Sequence, residues 1–412
     1  MKKNRINFLT VMIGNALEHY DKALFAFLAP FLAPFIFQHS DPVVTLISTY
    51  LILPLGLISK PIGALIFGRW GDKQGRKKVF ILTLLGMAIT TVLIGTIPLS
   101  QEKRAIAPLL FALGSLFQNF FASGETTGGA LLVLESSPQK KRGLINALYE
   151  SSTLLGILFA SIGVSLLSFT SSIETHWRVL YWLGGGVGGL TLIIRFFAEP
   201  PLLSSQKKEE LFSFLWQERR LLILIILTSG FSYANYYMLT SFLNGFLPLV
   251  SPISSAQAMQ TTTSLLALDL LILLFSGGLT LYFSKETLLF FFAFLGTILA
   301  VPLYAAFAGA TLFSAACMRL VFLLIGVGFS VILFPFYQDQ IPKDKRFTLI
   351  AFGNALGSQI FGTSASPIGF WLYKQTRWPG APGLYLMGLG LSTLWALSQS
   401  FRLFRPPFFH RK

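Results

Sequence analysis

The sequence has few charged residues, and this deficit excludes an ordinary soluble globular protein. Only 12% of the 412 residues are Asp, Glu, Lys or Arg, whereas a soluble domain has about 25%. Hydrophobic residues make up 53% of the chain, and the mean hydropathy is +0.66. Uncharged apolar runs at 79–99, 221–250 and 287–316 each exceed the roughly 20 residues that a helix needs to cross a bilayer. The composition therefore predicts a membrane protein with many helical spans.

Cysteine is nearly absent and acidic residues are scarce, which excludes further classes. The single cysteine, Cys317, lies in an apolar run, so neither a disulfide framework nor a cysteine metal site is expected. The formal charge of +15 could indicate nucleic-acid binding, but the basic residues cluster between apolar runs. No P-loop, G-x-S-x-G or H-E-x-x-H motif is present, so we expect no enzyme, cofactor or metal. A G-x-G-x-x-G pattern at 184–189 lies inside an apolar run and indicates close helix packing.

Twelve apolar segments form two sets of six around one charged stretch. The sequence predicts an N-terminal six-helix bundle over 1–198, a cytoplasmic linker over 199–219 and a C-terminal six-helix bundle over 220–412. The basic start of the chain is interpreted as part of helix 1, because charged residues interrupt the apolar stretch that a signal peptide would need. The predicted helices span about 8–37, 44–67, 79–99, 106–134, 143–169, 179–198, 221–250, 261–283, 287–309, 311–336, 347–373 and 382–404.

The distribution of Lys and Arg predicts the orientation. With both termini inside, 24 of the 32 basic residues fall in cytoplasmic segments and five in outer loops. Cytoplasmic loops carry such an excess. We therefore expect an even number of spans, both termini in the cytoplasm, and location in a bacterial inner membrane as a monomer surrounded by lipid.

The segment between predicted helices 2 and 3 carries the most specific motif. It matches the G-x-x-x-D-x-x-G-R-K/R loop of the major facilitator superfamily at Gly68, Asp72, Gly75, Arg76 and Lys77. A merely topogenic basic loop would explain the lysines but not this ordered set. Glycines allow a tight connection, and Asp72 can pair with a base or lie at a helix N-terminus. We interpret the motif as a cytoplasmic gate.

Three other segments resemble the metabolite:proton symporter group of that superfamily, which contains proline/betaine and 2-oxoglutarate carriers. They are Gly14 to Asp21, Gln118 to Ala130, and Glu135 to Gly143. The resemblance implies an all-α membrane fold with twelve transmembrane helices in two pseudo-symmetric six-helix bundles. It also implies secondary transport, with Glu135 and Arg142 as further gate residues. In the second half the pattern is thinner.

Several departures leave coupling and substrate open. Relatives usually carry an arginine linked with proton coupling at the position of Ser115, and Lys22 stands where an aromatic residue is common. The missing arginine favours a facilitator or exchanger that uses no protons. A non-transporting membrane sensor is a further alternative, although no soluble output domain is evident.

Charged residues within spans are costly and usually functional. Glu18, Asp21 and Lys22 lie at i, i+3 and i+4, so they share one helix face with Asn15. A structural ion pair would also explain them, but one lysine cannot neutralise two acids. The remaining acid could bind a proton. The other substrate or proton candidates are Gln118, Glu125, Glu150, Tyr236, Asp269 and Arg319.

Simpler explanations exist for several of these residues. Glu125 lies among small residues and could form only a structural hydrogen bond. Arg319 could meet a substrate carboxylate or pair with Asp269. The tyrosines near Tyr236 could hold a substrate ammonium group by cation–π attraction or form an interfacial belt. We predict proton-coupled uptake of a small metabolite, a proline- or betaine-like zwitterion first and a 2-oxoglutarate-like acid second.

Overall fold

A computed structural model of the chain describes residues 2–37, 39–74, 76–100, 105–123, 138–169, 173–197 and 211–403. These residues are almost entirely helical and include no β-strand. The first half contributes six helices. They are α1 (Lys2–Ile36), α2 (Pro42–Tyr50, continued as Gly56–Gln74), α3 (Arg76–Ile94), α4 (Ala107–Ala122), α5 (Arg142–Phe169) and α6 (Ile173–Phe197).

A short linker helix, Leu211–Gln217, precedes the second six. Two of these six contain a π-helical segment, Met238–Phe242 in α7 and Ser358–Gly362 in α11. The six are α7 (Arg219–Tyr237, continued to Val250), α8 (Ser255–Leu279), α9 (Lys285–Ala306), α10 (Leu312–Gln340), α11 (Lys343–Gly357, continued to Thr376) and α12 (Ala381–Leu403). Apart from the linker helix, the described part contains twelve helices, which confirms the predicted number. The predicted domain boundaries stay a prediction, since residues 198–210 lie outside the described part.

Local sequence explains where these helices begin. Asp41 caps α2, accepting a hydrogen bond at 2.9 Å from the Val43 backbone, and Pro42 takes the first helical position, where its missing N–H costs nothing. Ser254 and Gln257 form a reciprocal capping box at the start of α8, which satisfies two otherwise free backbone donors.

Six helical segments of the described part are long and apolar enough, by length and composition, to cross a membrane. They are Pro42–Gly63, Gln139–Phe169, Arg219–Val250, Ser255–Leu279, Lys285–Ala306 and Leu312–Gln340. Two shorter helices, Ile81–Ile94 and Ala107–Ala122, are also apolar.

The helices pack within two halves, and a few helices join the halves. In the first half α1 packs on α5 and α6, and in the second half α9 packs on α10 and α12. Between the halves, α5 packs on α8 and α10, and the start of α2 packs on the end of α11. Successive helices alternate in direction, so α1 begins and α12 ends at one end of the bundle. We call it the terminal end, and the opposite one the distal end.

The gate motif differs from the predicted loop. Helix α2 continues to Gln74 and α3 begins at Arg76, so Gly68 and Asp72 lie on α2, not in a connection. The predicted boundary at 67 was wrong because the charged residues of the motif interrupt the apolar run without interrupting the helix.

Candidate functional site

A cavity of about 700 Å³ lies between the two halves. Helices of the first half supply one wall, and α7, α8, α10 and α11 supply the other. Seven of the sequence-predicted substrate or proton residues line it: Asn15, Asp21, Lys22, Gln118, Glu150, Tyr236 and Asp269. The cavity therefore brings together polar residues that are far apart in the sequence.

On α1, one acid is paired and the other is not. Lys22 forms an ion pair and hydrogen bond with Glu18, and Glu18 is buried without lining the cavity. Asp21 does line it. One of its oxygens accepts a hydrogen bond of 2.7 Å from the Thr91 hydroxyl, and the other has no partner in the described part. The arrangement separates a neutralised carboxylate from one that is available for protonation.

Asp21 sits in a tight contact among four helices. Gln118 of α4 donates to the Thr91 hydroxyl of α3 at 3.1 Å, which extends the hydrogen-bond chain from Asp21. A Cβ on Gly184 of α6 would lie 2.9 Å from the unpartnered oxygen of Asp21 and 2.8 Å from the Tyr20 ring. The packing interpretation of the 184–189 glycines is confirmed at this position, where only glycine leaves room for Asp21.

Asn15 connects α1 to α5 beside the second acid of the first half. Its amide donates to the Ser152 hydroxyl at 3.0 Å and to the Thr153 hydroxyl at 2.7 Å. Glu150 lies next along the same wall and is close enough to Tyr233 of α7 for electrostatic interaction. Glu150 therefore faces the boundary between the halves.

The second half supplies an aromatic wall with one acid. The side chains of Tyr233, Asn235, Tyr236 and Tyr237 line the cavity, as does Asp269 of α8. Tyr236 and Asp269 interact electrostatically. The tyrosines are thus placed around the cavity and not in an outer belt.

Lys60 of α2 is a cavity residue that the sequence reasoning missed. It is buried, with 8% of its surface exposed, and lies near Lys22 and Glu18. The rule that singles out charged residues within apolar spans would have found it. Ser115, at the position of the absent arginine, also lines the cavity, and its hydroxyl donates to the Ile52 carbonyl at 3.2 Å.

Arg319 lies outside the cavity. It is fully buried between α7, α8 and α10, and its guanidinium donates to the carbonyls of Ala258 at 2.9 Å and Leu239 at 3.2 Å. It also bonds the Thr262 hydroxyl and the Asn244 amide oxygen. Among the described residues it forms no ion pair, either with Asp269 or with any other acid. The π-helical segment of α7 includes Leu239, so Arg319 stabilises that segment.

Arg142 has partners in the other half at the terminal end. Its guanidinium lies 2.9 Å from one oxygen of Asp339 on α10, and the Lys285 ammonium lies 2.5 Å from the other. Nearby, the Asn146 amide donates to the Val331 carbonyl at 2.9 Å. A Cβ on Gly143 would lie 2.0 Å from the Thr280 hydroxyl, so α5 and α8 meet closely there. We call Arg142, Lys285 and Asp339 the terminal ion cluster.

The other predicted gate residues cannot be placed in this network. The backbone is described as helical at Gly68, Asp72, Arg76 and Lys77, but the side-chain surroundings of these four residues lie outside the described part. Gly75, Glu125 and Glu135 lie outside the described residues altogether.

An aromatic layer closes the distal end. The Tyr50 ring of α2 stacks on Phe370 of α11 with centroids 5.6 Å apart, and Phe370 contacts Phe242 of α7 at 4.5 Å. The Tyr50 hydroxyl donates to the Ser241 carbonyl at 3.0 Å. All three rings are fully buried. In the opposite direction, the cavity lining extends to Leu215 of the linker helix and Thr348 of α11.

A largely apolar cavity that presents charged and polar side chains between two six-helix halves, closed at one end and extending toward the other, defines a multi-pass membrane transporter. The chain belongs to the major facilitator superfamily, whose family model matches residues 11–369. The resemblance seen in the motifs is thereby confirmed, and the family consists of transporters, not enzymes.

Relatives and solved structures agree with this assignment. A "putative proline/betaine transporter" of Staphylococcus aureus is 26% identical over 95% of this chain and 86% of its own length. A proline/betaine transporter of Salmonella typhimurium is 31% identical over 45% of this chain and 38% of its own. A D-xylose-proton symporter structure superposes with a TM-score of 0.75 at 15% identity, covering 98% of both chains. The E. coli fucose:proton symporter gives 0.67 at 14% identity, covering 96% of this chain and 98% of its own. These structures show the same fold.

Proposed function

We propose that this transporter couples inward movement of protons to uptake of a small zwitterionic metabolite, a proline- or betaine-like solute first. A 2-oxoglutarate-like acid is the second choice. The observation that carries the proposal is the central cavity, which has acids on both walls and the cluster of Tyr233, Tyr236 and Tyr237 on one. Relatives that bear the name proline/betaine transporter support the substrate class.

Alternating exposure of this cavity is the proposed mechanism. Sites near the midplane of such folds open to one side at a time as the two halves rock. With both termini in the cytoplasm, as the basic residues predict, the distal end faces outward and is the closed end. The cavity would then be extended toward the cytoplasm. The terminal ion cluster already joins the halves beside this extension, so its pairs would have to break before the cavity opens fully to the cytoplasm.

Asp21 is the proposed proton carrier. It is buried and lines the cavity, and one of its oxygens has no partner in the described part. A charged carboxylate at this depth is costly, so protonation lowers the free energy of closing the cavity around it. While Asp21 binds and releases its proton, the ion pair with Lys22 keeps Glu18 neutralised. The cavity thus retains cations on α1 and α2 even though Ser115 replaces the arginine of relatives.

Transport in proteoliposomes tests this function. Protein reconstituted with internal unlabelled substrate should exchange labelled glycine betaine or proline, and an imposed inward proton gradient should drive uphill accumulation. A pH difference of about one unit gives about tenfold accumulation for a one-proton symporter. Accumulation should vanish with a protonophore while exchange continues.

Two outcomes would favour the rival functions. Exchange without any response to the proton gradient would identify a facilitator or exchanger. Saturable ligand binding without flux would identify a sensor. Exchange of 2-oxoglutarate in preference to the zwitterions would reverse the order of the substrate classes.

A further inference from the structure

One wall of the cavity holds a buried cation that has no ion-pair partner among the described residues. Lys60 forms no salt bridge with any acidic side chain of the described part. Among the described acids, Glu18 interacts with Lys60 electrostatically and already binds Lys22, so two ammonium groups share one carboxylate. Burying an unpaired charge is costly. An anionic group that enters the cavity would remove this cost.

The opposite wall holds a buried anion for which the described part of the chain likewise supplies no ion-pair partner. Asp269 is 2% exposed, lines the cavity, and has one oxygen with no hydrogen-bond partner in the described part. The Tyr236 hydroxyl beside it also lacks a partner there, and Tyr237 lines the same wall. A carboxylate flanked by aromatic rings matches an ammonium group, through charge and cation–π attraction.

We propose that Lys60 and Asp269 are two subsites of opposite charge, one for the carboxylate and one for the ammonium group of a single zwitterionic ligand. The proposal deepens the proposed function and rests on it, because it names the residues that select the substrate class. Lys60 belongs to the first half and Asp269 to the second. One ligand bound to both would connect the halves across the cavity.

Ligands that differ only in charge test the two subsites separately. Glycine betaine carries both charges, choline keeps the ammonium but has no carboxylate, and tert-butylacetate keeps the carboxylate but has carbon in place of nitrogen. Binding of each is measured by calorimetry on the full-length protein in nanodiscs, for the wild type and for Lys60→Gln and Asp269→Asn.

The two variants should show opposite selectivity. Lys60→Gln should weaken binding of glycine betaine and tert-butylacetate by about 10- to 100-fold, as expected for loss of a hydrogen bond between charged groups, and leave choline binding unchanged. Asp269→Asn should weaken glycine betaine and choline similarly and leave tert-butylacetate unchanged. Matched controls are Lys140→Gln and Asp41→Asn, which lie outside the cavity and should bind all three ligands as the wild type does.

Other outcomes would overturn the proposal. It fails if Lys60→Gln weakens choline as much as glycine betaine, if it leaves glycine betaine binding unchanged, or if the wild type binds none of the three. A folding defect is recognised because each variant must still bind one ligand normally. Failure of the proposed proton coupling can be distinguished from failure of the two subsites. In that case transport would not respond to the proton gradient, but the pattern of ligand binding would stay as predicted.

Discussion

At the scale of single residues, the two acids of α1 have different environments although they are three positions apart. Glu18 is neutralised by Lys22, whereas Asp21 accepts one hydrogen bond from Thr91 and keeps one oxygen free within the described part. Spacing on a helix face predicts that both acids can reach the lysine. It does not predict which acid pairs, because this depends on the contacts of α1 with α3 and α6.

Replacing Asp21 by Asn should uncouple transport from protons. The amide oxygen of Asn can still accept the Thr91 hydrogen bond, so the local packing is preserved, but the side chain no longer titrates. We expect exchange of labelled substrate to continue while the roughly tenfold accumulation driven by one pH unit is lost. Both are measured in proteoliposomes.

The control for this variant is Glu174→Gln, an exposed acid at the start of α6 that should retain full accumulation. Undiminished accumulation by the Asp21→Asn protein would assign the proton to another carboxylate, with Glu150 the first to test.

At the scale of helices, the sequence predicts the number of spans well and their irregularities poorly. Apolar runs reveal helices because every backbone group in lipid must be hydrogen-bonded internally. The π-helical segment in α7 has no such signature. The sequence therefore does not predict that Arg319 of α10 donates to the Leu239 carbonyl and forms no pair with Asp269 in the described part. Lys60 differs from Arg319 in this respect, because it carries a recognisable signal in the sequence. It is a charged residue within an apolar span, and such residues are usually functional.

Removing the Arg319 guanidinium should destabilise the second half. The carbonyls of Ala258 and Leu239 would each lose a charged donor in a buried site, and a hydrogen bond to a charged group contributes about 1.5–3 kcal/mol. Arg319→Met should therefore lower the thermal unfolding temperature in detergent by several degrees, and Arg319→Lys should recover part of the loss.

The comparison variant is Arg220→Met, an exposed arginine at the start of α7, which should unfold at the wild-type temperature. Equal stability of the Arg319→Met and Arg220→Met proteins would show that Arg319 does not stabilise the α7 segment.

At the scale of the whole molecule, the halves are joined at the terminal end by the terminal ion cluster. Its three side chains are each about one-sixth exposed, which makes these pairs stronger than fully solvated ones. Asp339 is the shared acceptor. Asp339→Asn removes both pairs at once, so it should separate the start of α5 from the end of α10.

Distances between spin labels measure that separation. Labels at Lys140 and Tyr282, in a Cys317→Ser background, report on the two halves at the terminal end. If the pairs together contribute about 1.4 kcal/mol, Asp339→Asn shifts the conformational equilibrium about tenfold toward longer distances. Glu174→Gln, an exposed acid at the start of α6, should leave the distribution unchanged. An unchanged distribution in the Asp339→Asn protein would show that the cluster does not hold this end closed.

The closure at the distal end has a consequence for kinetics. Contacts between the packed rings of Tyr50, Phe242 and Phe370 respond little to dissolved ions. Dissolved ions do screen the charges on Arg142, Lys285 and Asp339. Raising ionic strength should thus accelerate mainly the step that separates the halves at the terminal end, because the ion pairs of Asp41 at the distal end are longer, at 3.9 Å to Lys374 and 4.0 Å to Arg377. Warming should chiefly affect the step that pulls the rings apart. The transport cycle would then have two barriers, one at each end of the cavity. Salt would mainly change the barrier at the terminal end, and temperature the barrier at the distal end.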